Sequence, residues 1–524
     1  MPRVEDEMFL QQAWNLCKTY LAHVSSRGQH TNSPSTDKGS NEKSLLQTLP
    51  HLPLIIDNKP YTADTTTKTH THYSANLSAD YCTYTSATPT SAQAAAASSF
   101  KAFQTWRNTT HIQRRSILQK TAALLRENQE EFSQIYVTET NCAPLWAALN
   151  IQWSAAHIEE MAGRITSVMS GELPLLQQDP NMAFAMVYKV PIGPVLSIPP
   201  WNAAVYLACR AIDTPLAVGC TVVLKASEQA PRTQHYLASL FHKAGLPPGV
   251  LNVVQAARED GARVTEALIA HPAIRKVEFI VLMELGGKSA LIVLEDADLE
   301  AAARAAVTGG YIHGGQVCFS TERVIVRREV EAEFVEVLKK VAAAWEPMPA
   351  VGTAGPQRTV KLVKQAVDAG AEMVYGDGGL VDDTKTRPVI LRNVPNEAEI
   401  ADEESFGPVL ALYTVDSDEE AVRVANDTQY GLAGGVYGRD VIRAMRVAKQ
   451  LEVGQAHVNH AMGTGQDEAT IPVGVTKASG FGRGQNGNFG LEEFLPLRTV
   501  TVSEIQLAPA VGGEANGEHA SGGH

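Results

Sequence analysis

Val195-Leu-Ser-Ile198-Pro-Pro-Trp201-Asn202 joins a short apolar run to a Pro-Pro turn, and the residues from Ala203 to Val218 then read as a helix. The same unit recurs downstream. Thr221-Val-Val-Leu-Lys225 predicts a strand and Ala230 to Ala244 a helix; Leu251-Asn-Val-Val254 predicts a strand and Arg258 to Ile269 a helix; Val277-Glu-Phe-Ile280 predicts a closing strand. Brief β-branched runs separated by helix-length amphipathic segments are the pattern of βαβ units, hence of a parallel sheet. Such sheets bind ligands at the carboxyl ends of their strands. Upstream, Leu52-Pro-Leu-Ile-Ile56 with the turn Asp57-Asn58 opens the compact region, and a second alternating stretch from Ser289 to about Gly490 predicts another α/β unit.

The ends of the chain read differently. Met8 to Val24 could form a short amphipathic helix, whereas Ser25 to Lys43 is polar and low in apolar residues, the composition of a disordered segment. The tail from Val511 to His524 is low-complexity, and its histidines read as solvated rather than as metal ligands. At 524 residues the chain can hold two or three domains with large cores, and 44% hydrophobic with 19% charged residues is an ordinary globular composition. A formal charge of −13 argues against a nucleic-acid partner, since phosphate binding needs clustered Lys and Arg. No apolar run is long enough to cross a bilayer, and the acidic start (Glu5, Asp6, Glu7) is neither a secretory signal nor a transit peptide, so a cytoplasmic location without membrane contact is expected. The six cysteines show no CxxC pairing, which predicts reduced thiols and neither a disulfide framework nor a metal site.

Three segments carry chemistry. Gly314-Gly-Gln-Val-Cys318-Phe-Ser-Thr-Glu-Arg323 sets a cysteine after a glycine turn and before a predicted strand, where backbone N–H groups can bind an oxyanion. Taken alone, a cysteine is more often a small buried hydrophobe. Met283-Glu284-Leu-Gly-Gly-Lys288-Ser-Ala-Leu-Ile-Val-Leu294 places a carboxylate before a Gly-Gly turn, where apolar surroundings would raise its pKa toward that of a general base. A single loop glutamate is usually just solvated. Asn202, at the strand-to-helix turn, could donate to an oxyanion or simply cap the helix.

Together and in this order, these segments resemble the NAD(P)-dependent aldehyde dehydrogenase superfamily, and the resemblance extends from about Leu52 to Glu504. Leu224-Lys-Ala-Ser-Glu228, Glu403-Glu-Ser-Phe-Gly-Pro-Val409, Tyr430-Gly-Leu-Ala-Gly434 and Lys477-Ala-Ser-Gly-Phe-Gly482 add to it. Val317-Cys-Phe-Ser-Thr-Glu-Arg323 and His457-Val-Asn-His-Ala-Met462, with Asp467-Glu468 beyond, look closest to the salicylaldehyde- and vanillin-dehydrogenase-like branch, which implies an aromatic aldehyde as substrate. The resemblance implies an α/β fold with a Rossmann-type cofactor domain (residues 51–172 and 192–283), an α/β catalytic domain (284–494) and a small β oligomerisation extension (173–191 and 495–505). Residues 1–50 would be a variable extension and 506–524 a disordered tail. It further implies Cys318 as nucleophile, Glu284 as general base and Asn202 as oxyanion donor. Lys225 and Glu228 would hold the adenosine ribose, Glu404 and Phe406 the nicotinamide ribose and ring, with Ile198 and Trp201 lining the cleft. A carboxylate at Glu228 accepts a ribose hydroxyl and repels a 2′-phosphate, which favours NAD over NADP. The implied assembly is a homodimer or homotetramer, paired through strands at Ala183–Val190 and Leu497–Val502.

The chain also departs from the family. Phe279-Ile-Val-Leu-Met283 runs straight into Glu284, where the family has a Thr-Gly-Ser-type turn, a helix and a further strand. The loss is roughly two dozen residues, and consecutive parallel strands ordinarily need a crossover of about a dozen. The missing helix N-terminus is where a pyrophosphate would find N–H donors. Smaller departures are a shortened loop at Glu346–Gln357, Phe319 after the nucleophile, and Ile471-Pro-Val-Gly-Val-Thr-Lys477. Three readings follow: an active oxidoreductase with altered cofactor binding, a catalytically impaired relative serving as a binding or structural subunit, or a gene-model artefact at the junction.

Overall fold

Two parallel sheets organise the chain in the computed structural model, which describes residues 49–174, 182–278, 285–460 and 469–503 apart from 483 and 485. The expected N-terminal helix and polar segment, the C-terminal tail, the junction at 279–284 and therefore Glu284 lie outside the described residues. The first sheet has six strands in the spatial order Lys276–Glu278, Val195–Ser197, Val222–Ala226, Leu251–Gln255, Ile55–Ile56 and Lys59–Pro60. The first four are parallel to one another; the last two form a turn that pairs antiparallel with Leu251–Gln255. Val222–Ala226 and Leu251–Gln255 are buried along their whole length, as expected for strands covered on both faces. The crossovers are the helices Tyr206–Ala217, Pro231–Ala244 and Arg258–Ile269. Pro231 starts the second of these, where its missing N–H costs nothing, and Gly245 ends it in the left-handed region.

The second sheet has seven strands in the order Glu372–Tyr375, Val389–Arg392, Val409–Val415, Thr321–Arg327, Ser289–Val293, Ala433–Tyr437 and Gln455–Val458. All are parallel except the edge strand Glu372–Tyr375. The nucleophile segment thus enters a central strand, flanked on one side by the strand that follows the Glu-Leu-Gly-Gly box. A separate antiparallel ribbon pairs Met182–Lys189 with Leu497–Ser503, close to the two strands expected there. The ribbon leaves Phe184, Tyr188 and Leu497 42%, 43% and 67% exposed. Among the described residues, no helix is long and apolar enough to cross a membrane.

The strands flanking the junction bear on the crossover expected to be missing there. The strand before it, Lys276–Glu278, belongs to the six-stranded sheet, and the next described strand, Ser289–Val293, belongs to the seven-stranded sheet. The described strands on either side of the junction therefore belong to different sheets, and two such strands need no parallel crossover between them. Two boundaries also move. The first strand stops at Ser197, and the helix expected from Ala203 begins at Tyr206, after turns at Ala203–Val205.

At the junction's near side, Glu278 is buried beside Arg210 and the hydrogen-bonded pair His157–Asp213, whose atoms are 2.8 Å apart. Burial pushes the Glu278 carboxyl up to about 7, against the pull of Arg210 and Lys276. A carboxyl raised in the folded state binds its proton more tightly there. Its stabilising contribution is complete below the unfolded value of 4.5 and is lost as pH rises through about 7. Stability measured by urea unfolding should therefore fall between pH 5 and pH 8. Glu278→Gln should remove that component, worth at most about 3 kcal/mol. An unchanged slope in the variant would refute the assignment.

Candidate active site

The helix Leu299–Tyr311, capped by Asp298 accepting from the Ala301 N–H, delivers the chain to a tight turn. His313, Gly314 and Gly315 all take positive φ there, of 50°, 65° and 76°. Gly315 has no alternative, because a Cβ on it would overlap the carbonyl of Gly407. Gly287 is equally constrained, since a Cβ there would overlap the carbonyl oxygen of Cys318. The glycines of the two boxes are thus the reason their backbones meet. Cys318 is half-buried. The other described cysteines are buried, and burial pushes Cys82 and Cys142 up to about 12, Cys220 to about 11, and Cys209 well above the ordinary thiol value. Thiols held that high supply almost no thiolate at neutral pH.

Asn202 reaches the same turn. Its side-chain amide donates to the Gln316 carbonyl at 3.1 Å, two residues before Cys318. Its own carbonyl accepts from Tyr136 Oη at 3.2 Å and Trp146 Nε1 at 3.0 Å. With the following helix starting at Tyr206, the capping alternative for Asn202 falls away. Gln316, which sequence reading did not single out, bolts the turn: its Nε2 donates to the His313 carbonyl at 2.9 Å and its Oε1 accepts from Val351 N–H at 3.2 Å. Aromatic rings extend from this point. His313 stacks on Trp146 with centroids 4.9 Å apart, Trp146 meets Trp153 edge-on, and Trp153 meets Tyr206 edge-on. Burial holds His313 down at about 3, so it is a neutral ring there and not a cation. Phe319, beside the nucleophile, packs against the cores of both sheets.

The expected cofactor residues fall in two groups. Lys225 and Glu228 lie at the carboxyl end of Val222–Ala226, where Glu228 is only partly buried and its charge is felt by Tyr84. Ile198 follows the neighbouring strand and donates its N–H to the Glu278 carbonyl at 2.8 Å. The single turn Ile198–Asn202 therefore spans from the strand ends to the nucleophile loop. Trp201, in that turn, meets Phe406 edge-on at 5.8 Å. Glu404 accepts from the Gly287 N–H at 3.0 Å, and burial with the nearby Glu322 carboxylate pushes its own carboxyl well up.

Sequence reading passed over the pair that holds this second group. Glu322 accepts from Ser405 N–H at 2.8 and 2.9 Å, from Phe406 N–H at 3.1 Å and from Lys288 Nζ at 2.5 Å. Each of these two residues stands four positions after a chemical residue, Glu322 after Cys318 and Lys288 after Glu284. That opposite-charge echo within two adjacent motifs was the available signal. The donor set suits a dinucleotide: the carboxyl groups of Glu228 and Glu404 for ribose hydroxyls, the Lys225 ammonium, and the edge-on pair of Trp201 and Phe406. The junction at which the pyrophosphate-binding turn and helix are expected to be missing, residues 279–284, lies outside the described residues.

The profile of the aldehyde dehydrogenase family matches the chain in two segments, residues 61–281 and 280–500, which meet at the junction. A salicylaldehyde dehydrogenase of Pseudomonas putida is 37% identical over 451 residues, covering 80% of this chain and 92% of that one. A vanillin dehydrogenase of Pseudomonas sp. (strain HR199 / DSM 7063) is 36% identical over 485 residues, covering 86% and 98%. Among solved structures, a salicylaldehyde dehydrogenase from Pseudomonas putida G7 complexed with salicylaldehyde superposes with a TM-score of 0.82 at 32% identity, covering 88% of this chain and 100% of that one.

Proposed function

The chain belongs to the aldehyde dehydrogenase family, and from that premise we propose that it oxidises an aromatic aldehyde to the carboxylic acid, with NAD, through a covalent intermediate on Cys318. The observation that carries this reading is the half-buried Cys318, whose backbone carbonyl lies against Gly287 and whose loop is tethered by Asn202 through the Gln316 carbonyl.

The Cys318 thiolate adds to the carbonyl carbon and forms a thiohemiacetal. The oxygen, now negative, would receive an Asn202 side-chain N–H and the Cys318 backbone N–H. NAD, when bound, supplies the acceptor for the hydride leaving that carbon. Glu284 then takes a proton from water, which attacks the Cys318 thioester and releases the acid and the thiolate. Lys225 and Glu228 would hold the adenosine ribose, and the Glu228 carboxylate disfavours a 2′-phosphate, so NAD is preferred over NADP. Glu404 would hold the second ribose, with Phe406 and Trp201 flanking the ring. Trp153 and Phe319, both only partly buried, support an aromatic substrate as candidate contacts for a flat ring. The exposed apolar side chains on the ribbon Met182–Lys189 and Leu497–Ser503 support pairing with a second copy of the chain, which would cover an edge that otherwise invites aggregation.

The test is direct. Purified protein is given benzaldehyde, salicylaldehyde or propanal with NAD or NADP, and absorbance of the reduced cofactor is followed. The aromatic aldehydes with NAD should give the highest kcat/KM. Faster oxidation of propanal would overturn the substrate class, and no reduction of either cofactor with any aldehyde would overturn the redox reading itself.

A further inference from the structure

We propose that Glu322 is a positioning residue that fixes the loop 403–407, and with it Glu404 and Phe406, at a set distance from the nucleophile segment. The proposal rests on the reading above, in which Glu404 and Phe406 face NAD.

The geometry is unusually closed. Both carboxylate oxygens of Glu322 accept from Ser405 N–H, one also accepts from Phe406 N–H, and Lys288 Nζ supplies the counter-charge. The two side chains are 2% and 1% exposed, so neither is satisfied by solvent. The loop's carbonyls are held from the other side. Lys288 Nζ donates to Glu403 O at 2.8 Å, while Arg358 donates to Glu404 O at 2.7 Å and Ser405 O at 3.0 Å. Phe406 takes a φ of 50°, a left-handed conformation that a bulky residue avoids unless its surroundings impose it. Glu322 imposes it, because its carboxylate binds the two successive N–H groups on either side of the Ser405–Phe406 link. Arg323 in turn donates to the Lys288 carbonyl at 3.0 Å and to Ala425 O at 2.7 Å, so the strand carrying Glu322 is anchored as well.

A buried ion pair adds little net stability over well-packed apolar groups, since desolvation offsets the attraction. What it supplies here is directional: an acceptor for backbone N–H groups at one defined place. Because Glu322 and Cys318 share one short segment of chain, that place is registered to the thiol.

The variants are Glu322→Gln, which keeps the shape and removes the charge, and Glu322→Gln/Lys288→Gln, which leaves no lone buried cation if the single variant folds poorly. Hydrogen exchange by mass spectrometry reads the loop without any cofactor. Peptides spanning 403–407 should exchange about tenfold faster or more, the loss expected for charge-assisted hydrogen bonds, while the helix Pro231–Ala244 keeps its wild-type rate. KM for NAD should rise by a similar factor, with the rate of Cys318 alkylation by iodoacetamide within about twofold of wild type. Unchanged exchange at 403–407 in a folded variant overturns the proposal, and so does a KM for NAD that stays at the wild-type value. If the wild-type protein binds no NAD, the functional reading fails, and the exchange measurement still decides whether Glu322 holds the loop.

Discussion

Replacing Cys318 with Ala should abolish aldehyde oxidation, lowering kcat/KM by at least about 10⁴-fold. Without the thiol, no covalent intermediate forms, and water is a poor nucleophile toward the carbonyl carbon in its place. The fold should survive, because Cys318 is half-buried and loses only a sulfur atom. A second measurement ties the effect to the residue. Brief treatment of native wild-type protein with iodoacetamide should give an adduct on the Cys318 peptide, and none there in the variant. Cys82, Cys142, Cys209 and Cys220 should stay unmodified, since each is buried and held well above neutral pH. Oxidation by the variant at the wild-type rate would remove Cys318 from the mechanism.

Asn202→Ala should lower kcat by about 10² to 10³, the usual cost of one oxyanion donor. KM for NAD should change little. The thermal midpoint should fall only modestly, because the contacts that fasten the turn run to the Asn202 backbone carbonyl, from Tyr136 and Trp146, and these persist without the side chain. Asn202→Asp should be at least as slow, since it sets a negative charge against the Gln316 carbonyl and the developing oxyanion. A rate within about threefold of wild type for Asn202→Ala would show that the amide serves only to tether the Gln316 loop.

The strand and helix series of the first sheet was legible because its apolar runs are short, β-branched and punctuated by Pro and Gly. The Cys318 segment, the Asn202 turn and the Glu403–Val409 segment were legible as motifs. Three features were not. The role of Gln316 depends on Val351 and His313, neither of which any local pattern links to it. The capping alternative for Asn202 could be dismissed only when the helix proved to start four residues later. Whether the junction at 279–284 needs a crossover was not legible, because sequence order does not say which sheet a strand joins.

The amino-acid sequence by itself determined the elements and the family, and it pointed to the candidate site residues, since periodicity and motif chemistry are local properties of the chain. Tertiary structure alone decided that Gly287 and Gly315 bring the two boxes and the cofactor loop into contact, and that Glu322 is their common anchor. The physical reason is that these are long-range contacts between segments far apart in the chain. Backbone approach and hydrogen-bond geometry across such distances are fixed by packing, and no residue's type or neighbours encode them in advance.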